Sequence, residues 1–84
     1  LVPTLMPTVY ANQFTGTKTT VWTLFNAEFH TMRGDLLSIP HQAGTRYVNA
    51  FTGQDIKPRI VNGQAIIPVT IGPRDVGCVV AERR

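Results

Sequence analysis

Lys57-Pro58-Arg59-Ile60-Val61-Asn62-Gly63-Gln64-Ala65-Ile66-Ile67-Pro68-Val69-Thr70-Ile71 carries the clearest structural instruction in the chain. Two apolar, β-branched runs, 57–61 and 64–71, flank Asn62-Gly63. That dipeptide supplies the two positive φ values of a type I′ turn, so the stretch predicts a β-hairpin. In its second arm Ile67, Val69 and Ile71 point to one side, and Ile66, Pro68 and Thr70 to the other. Pro68 has no N–H to give to a ladder, so an edge or an unpaired side is expected there.

Working outward, the same signals recur. Strands are predicted over 9–14, 19–26, 35–39, 46–50 and 76–81 as well as the two hairpin arms. The run 19–26 is the strongest of these, being rich in Thr, Val, Trp, Leu and Phe. Eleven threonines and many valines and isoleucines suit a pleated surface, and no window shows the stripe of an amphipathic helix. Turn residues at 15–18, 42–44, 51–55 and 72–75 interrupt the strands, and the polar stretch 27–34 reads as a connection. Trp22 and Leu24 share one face of their strand, and Val21, Thr23 and Phe25 the other. In the last strand Val76, Cys78 and Val80 alternate with Gly77, Val79 and Ala81. Cys78, on this valine strand, reads as a small core residue. Seven short strands at this spacing predict an all-β fold, a small antiparallel two-sheet β-sandwich over 9–84. Residues 1–8, with Pro3 and Pro7, read as an extended linker.

Composition sets limits. At 84 residues the chain holds one small core and buries a little over ~60% of its unfolded surface. Hydrophobic residues make up 43% and charged residues 15%, a balance that excludes a disordered or coiled-coil chain. A single cysteine rules out an intramolecular disulfide and a cysteine-rich zinc site. No run approaches the ~18 apolar residues of a membrane span, and the start of the chain lacks the basic region of a signal peptide. With no initiator Met, the sequence reads as a fragment of a longer polypeptide, and its compartment stays open. The formal charge of +3 invites a nucleic-acid partner. However, Lys18, Arg33, Arg46, Lys57, Arg59, Arg74, Arg83 and Arg84 are dispersed, whereas phosphate binding needs cations converging on one strip.

The side chains that carry chemistry form no catalytic pattern. Asp35, Ser38 and His41 make a Ser/His/Asp set by type, but residues three apart on a strand face opposite sides. Glu28, Asp35, Asp55, Asp75 and Glu82 fall mainly in turns or at strand ends, where acids cap backbone groups. His30 and His41 lack a second metal-type ligand at close spacing. No catalytic residue, metal ligand or cofactor is therefore assigned. Of the aromatics, Trp22 and Phe25 sit mid-strand, where packing is the default. Tyr10, Phe29 and Phe51 lie near strand ends or loops and are the candidates for stacking on a sugar.

Val9-Tyr10-Ala11-Asn12-Gln13-Phe14, followed by Thr20-Val21-Trp22-Thr23-Leu24-Phe25-Asn26, resembles the opening of the all-β C-terminal domain that follows the catalytic barrel in many glycoside hydrolases, the amylase-type domain C. Tyr47-Val48-Asn49-Ala50-Phe51-Thr52-Gly53 and Gly72-Pro73-Arg74-Asp75-Val76-Gly77-Cys78-Val79-Val80 continue the resemblance, which spans about 9–82. It implies a non-catalytic domain that packs on its own upstream catalytic domain and stabilises it, sometimes with a surface sugar site. A carbohydrate-binding module is the alternative, and a basic nucleic-acid-binding barrel a third reading. Buried Trp22 and Tyr47 beneath an apolar outer patch would favour the first. A flat row of exposed aromatics would favour the second, and a convergent arginine face the third.

Overall fold

A computed structural model describes residues 1–83. The type I′ geometry is present at the predicted turn, where Asn62 has φ 50° and Gly63 φ 77°. A Cβ at Gly63 would meet no atom within 4 Å, so a substitution there is opposed by backbone strain alone. Gly63→Val is expected to cost about 1–3 kcal/mol. A thermal melt would read this directly, and an unchanged midpoint would refute the turn assignment.

The strands are β1 (Val9–Thr15), β2 (Thr19–Asn26), β3 (Met32–Pro40), β4 (Arg46–Asn49), β5 (Asp55–Ile56), β6 (Arg59–Val61), β7 (Gln64–Ile71) and β8 (Val76–Glu82). They form two antiparallel sheets, ordered β1-β2-β8-β4-β5 and β3-β7-β6. The fold is the all-β, two-sheet sandwich that the sequence predicts.

Two differences from the sequence reading exceed a single residue at a strand end. The first hairpin arm, expected over 57–61, begins only at Arg59, and a further short strand, Asp55–Ile56, starts within the expected turn 51–55. A break at Lys57-Pro58 lies between them, giving eight strands rather than seven. Before the break β5 pairs with β4 in one sheet, and after it β6 pairs with β7 in the other. Pro58 cannot donate a ladder hydrogen bond, which suits the point where the chain changes sheets. The second difference is that β3 begins at Met32, inside the stretch read as a connection. Met32, Arg33 and Gly34 find partners in Ile71, Thr70 and Val69, so β7 is paired along its full length. β6 reaches only as far as Ile66, which leaves Pro68 with β3 on one side and no strand partner on the other.

β3 also carries a bulge, with the register shifting between Asp35 and Leu37. Leu36 and Leu37 are both buried as a result. The extra residue resets the alternation, so Asp35 and Ser38 face the same, solvent side.

Between the sheets lie Trp22, Leu24, Leu36, Leu37, Tyr47, Ile67, Ile71 and Val79 among others. The inward set of β8 is Gly77, Val79 and Ala81, because these pair with Leu24, Trp22 and Thr20 of β2. Gly77 marks a close approach of the sheets, since a Cβ there would lie 3.3 Å from the Ile71 side chain. Residues 1–8 are tied to both sheets. Val2 bridges to Ala11 of β1, and the Leu5 N–H donates to the Leu36 carbonyl of β3 at 2.9 Å. Val2 and Met6 pack on the core, and the segment covers the edges of β1 and β3 at these points.

Candidate functional site

The alternation that buries Trp22, Leu24, Val79 and Ala81 necessarily presents the other half of β1, β2, β8 and β4 to the outside. Register places these outward residues in three rows across the strands. Tyr10, Phe25 and Val76 make one row, and Asn12, Thr23 and Cys78 the next. Phe14, Val21, Val80 and Val48 make the third. Charge enters at the end of the third row, where Asp55 of β5 lies opposite Val48 and pairs with Arg46 at 2.8 Å, and beyond it, where Glu82 lies opposite Arg46. At the first row the Arg74 guanidinium sits over Phe25. The outer face of the three-stranded sheet is mixed, with Arg33, Asp35, Ser38, Arg59, Gln64 and Thr70 set among Pro40, Val61, Ile66 and Pro68.

The face is not flat at the first two rows. Thr23 and Cys78, with the backbone of Leu24 and Gly77, form the floor of a depression of about 390 Å³. Its walls are Tyr10, Phe25, Val76 and Phe51. Phe51 arrives from the β4–β5 turn, and three hydrogen bonds help to hold that turn in place. The Asn49 carboxamide oxygen accepts the Phe51 and Thr52 N–H groups, and the Ala50 N–H donates to the Cys78 carbonyl. Tyr10 and Phe51 are 50% and 66% exposed, so both rings are available to a ligand.

Two of the three predicted sugar-stacking residues, Tyr10 and Phe51, therefore come together here. Phe29 does not line the depression. Its ring, 82% exposed, lies 5.1 Å from the Arg74 guanidinium, which also sits 5.3 Å from the Phe25 ring. Arg74 has φ 54° and donates to the Ala27 carbonyl, so it clamps the 27–31 loop against the 72–75 turn. Sequence reasoning passed over Arg74 because its aromatic partners are dozens of residues away in the chain.

Trp22 and Tyr47 are buried. At the end of the sandwich nearest them lies a second hollow of about 240 Å³, lined by Gln13, Thr20, Arg83 and others. Its polar groups are engaged with one another. Trp22 Nε1 donates to Gln13 Oε1 at 3.0 Å, and Arg83 donates to Thr20 Oγ1 and the Gly16 carbonyl. The Tyr47 hydroxyl lies 2.9 Å from His41 Nδ1.

Asp35, Ser38 and His41 do not converge. Asp35 is paired with Arg59, Ser38 is 3.4 Å from Gln64 Oε1, and His41 is held by Tyr47. The bulge gives Asp35 and Ser38 a common face, against the expectation from simple alternation, but not a common partner. Among the described residues no three His, Cys, Asp or Glu side chains stand together as metal ligands. The five described arginines do not gather on one strip. Arg33 and Arg59 stand on the outer face of the three-stranded sheet, Arg59 paired with Asp35, while Arg46 pairs with Asp55, Arg74 stacks on Phe25 and Phe29, and Arg83 bonds the 16–17 turn.

Cys78 requires a correction. It lies half-buried on the outer face rather than in the core, because its neighbours Gly77 and Val79 occupy the inward positions. Burial raises its thiol pKa, and burial likewise raises that of the Tyr47 hydroxyl. An acid whose folded pKa lies above its unfolded value holds its proton more tightly when folded. The stability from both groups is therefore complete below the unfolded pKa and is lost as pH rises through the folded one. Unfolding free energy is expected to fall with pH from about pH 9 upward. Denaturant titrations between neutral and alkaline pH would check this, and a flat profile would count against both assignments.

No protein-family model and no curated protein matches the chain.

Proposed function

We propose that this chain is a non-catalytic accessory β-sandwich of a carbohydrate-active enzyme, of the glycoside hydrolase kind, and that it packs on and stabilises the catalytic domain. One observation carries the reading. The outer face of the five-stranded sheet carries an unbroken, uncharged apolar row of Phe14, Val21, Val80 and Val48, whereas on the opposite face of the sandwich Val61, Ile66 and Pro68 are interrupted by Arg33, Asp35, Ser38, Arg59 and Gln64. Contiguous exposed apolar surface rimmed by charge is the mark of a contact site. Burial of Trp22 and Tyr47 adds support, because it assigns these large side chains to the core and leaves the outer face for docking. The carbohydrate context rests on the sequence resemblance.

Covalent footprinting tests the proposal. Phe14 and Val80 should be strongly labelled in the isolated chain and protected in the polypeptide that joins it to its catalytic domain. Equal labelling in the two samples would end this reading.

A further inference from the structure

We infer that the depression between Tyr10 and Phe51 is a binding site for a neutral, hydroxyl-rich ring ligand, a linear oligosaccharide. The inference does not rest on docking through the Phe14 row, which lies four residues away along β1 from Tyr10, about 13 Å at the rise of a strand.

Three features of the depression point to the ligand class. The first is its shape. Small residues, Thr23, Gly77 and Cys78, occupy the floor between taller aromatic walls, so a ring fits against Tyr10 or Phe51 with its C–H face on theirs. The second is hydrogen-bonding capacity. The Asn12 carboxamide and the Thr23 hydroxyl both line the depression and are exposed. Neither makes a hydrogen bond to another described side chain or backbone group. Tyr10 adds a phenolic hydroxyl. Donors and acceptors of this kind, set among apolar walls, suit a ligand that alternates C–H surface with hydroxyl groups. The third is charge. Among the described residues no Asp, Glu, Lys, Arg or His lines the depression. Arg74, which lies behind the Phe25 wall, is engaged with the Phe25 and Phe29 rings and the Ala27 carbonyl. No charged group inside the depression therefore offers an ion pair, and a neutral ligand is favoured.

Geometry also makes the site local. Tyr10 stands on β1 and Phe51 beyond β4, with β2 and β8 between, so the walls are three strand spacings apart, about 14 Å. That width accommodates more than one sugar ring and makes a tetrasaccharide a suitable probe. A shallow site with two stacking surfaces and few hydrogen bonds binds weakly, with Kd on the order of 1 mM.

The test is an amide-shift titration of the ¹⁵N-labelled chain with maltotetraose, cellotetraose, xylotetraose and mannotetraose, and separately with indole. At least one saccharide should give saturable shifts confined to residues 10–12, 23–25, 51 and 76–78. Tyr10→Ala and Phe51→Ala should each weaken that binding about tenfold, a change of about 1.4 kcal/mol. Phe29→Ala should leave it unchanged. If either aromatic variant melts early, Asn12→Ala and Thr23→Val serve instead, since both keep the walls and remove one polar partner. No saturable shift with any of the four saccharides up to on the order of 10 mM would overturn the inference. So would saturation by indole alone, which would leave the depression an apolar contact surface.

Discussion

Asn26→Ala is expected to lower the stability of the chain by about 2–4 kcal/mol, seen as a drop in thermal midpoint on the order of 10–30 °C. Asn26 is fully buried at the end of β2, and its carboxamide satisfies four backbone groups. Nδ2 donates to the carbonyls of His30 at 2.8 Å, Ile71 at 3.2 Å and Gly72 at 2.9 Å, while Oδ1 accepts the Glu28 N–H at 2.9 Å. One side chain thus joins the 27–31 loop to the turn after β7. Truncation leaves the Glu28 N–H and the His30 carbonyl without partners and the Gly72 carbonyl with the Asp75 N–H alone, and it takes a donor from the Ile71 carbonyl within the core. Asn26→Asp separates this from simple loss of volume. The carboxylate keeps the Glu28 bond but faces carbonyl oxygens, so its pKa in the folded chain is expected to rise. Its folded state should then be most stable at low pH and lose stability as pH rises through the folded value. An Asn26→Ala variant that melted with the parent would show the network to be dispensable.

Ile67→Ala should cost about 2–5 kcal/mol, whereas Ile66→Ala, one residue earlier on the same strand, should cost under about 1 kcal/mol. Ile67 is fully buried opposite Leu37 at the centre of the three-stranded sheet. Removing its side chain opens a cavity between two sheets that cannot close fully on it. Ile66 points outward toward the Ser38 and Arg59 positions and is only half-buried. A domain of this size has on the order of 4–12 kcal/mol to lose, so the first variant brings it near unfolding and the second does not. Urea titrations of the two proteins would measure the difference, and equal midpoints would refute the assigned facing of β7.

The hairpin was legible in the sequence because its cause is local. Asn62-Gly63 determines the turn stereochemistry, and the alternation beside it determines which isoleucines point inward. The break at Pro58 was not read from the sequence, since one proline does not say which sheet the residues on either side of it join. The bulge at Leu36 was hidden for a related reason. Two adjacent leucines fit either face of a strand until a partner strand fixes the register. Cys78 was placed on the wrong side because Val76, Cys78, Val80 and Gly77, Val79, Ala81 are both apolar enough to form a core. Of the candidate site, the accessibility of Tyr10, Phe29 and Phe51 could be read from their positions near turns. Their grouping could not, because Tyr10 and Phe51 are forty-one residues apart and meet only through the strand order β1-β2-β8-β4.

The hairpin thus stands for the whole chain. By itself the sequence determined the strand content, the turns and the all-β class, because these follow from φ preferences and side-chain alternation over a few residues. Tertiary structure alone decided which strands share a sheet, where the register slips and which apolar face stays uncovered. Those outcomes depend on contacts between residues distant in the chain, whose free energies no local pattern records.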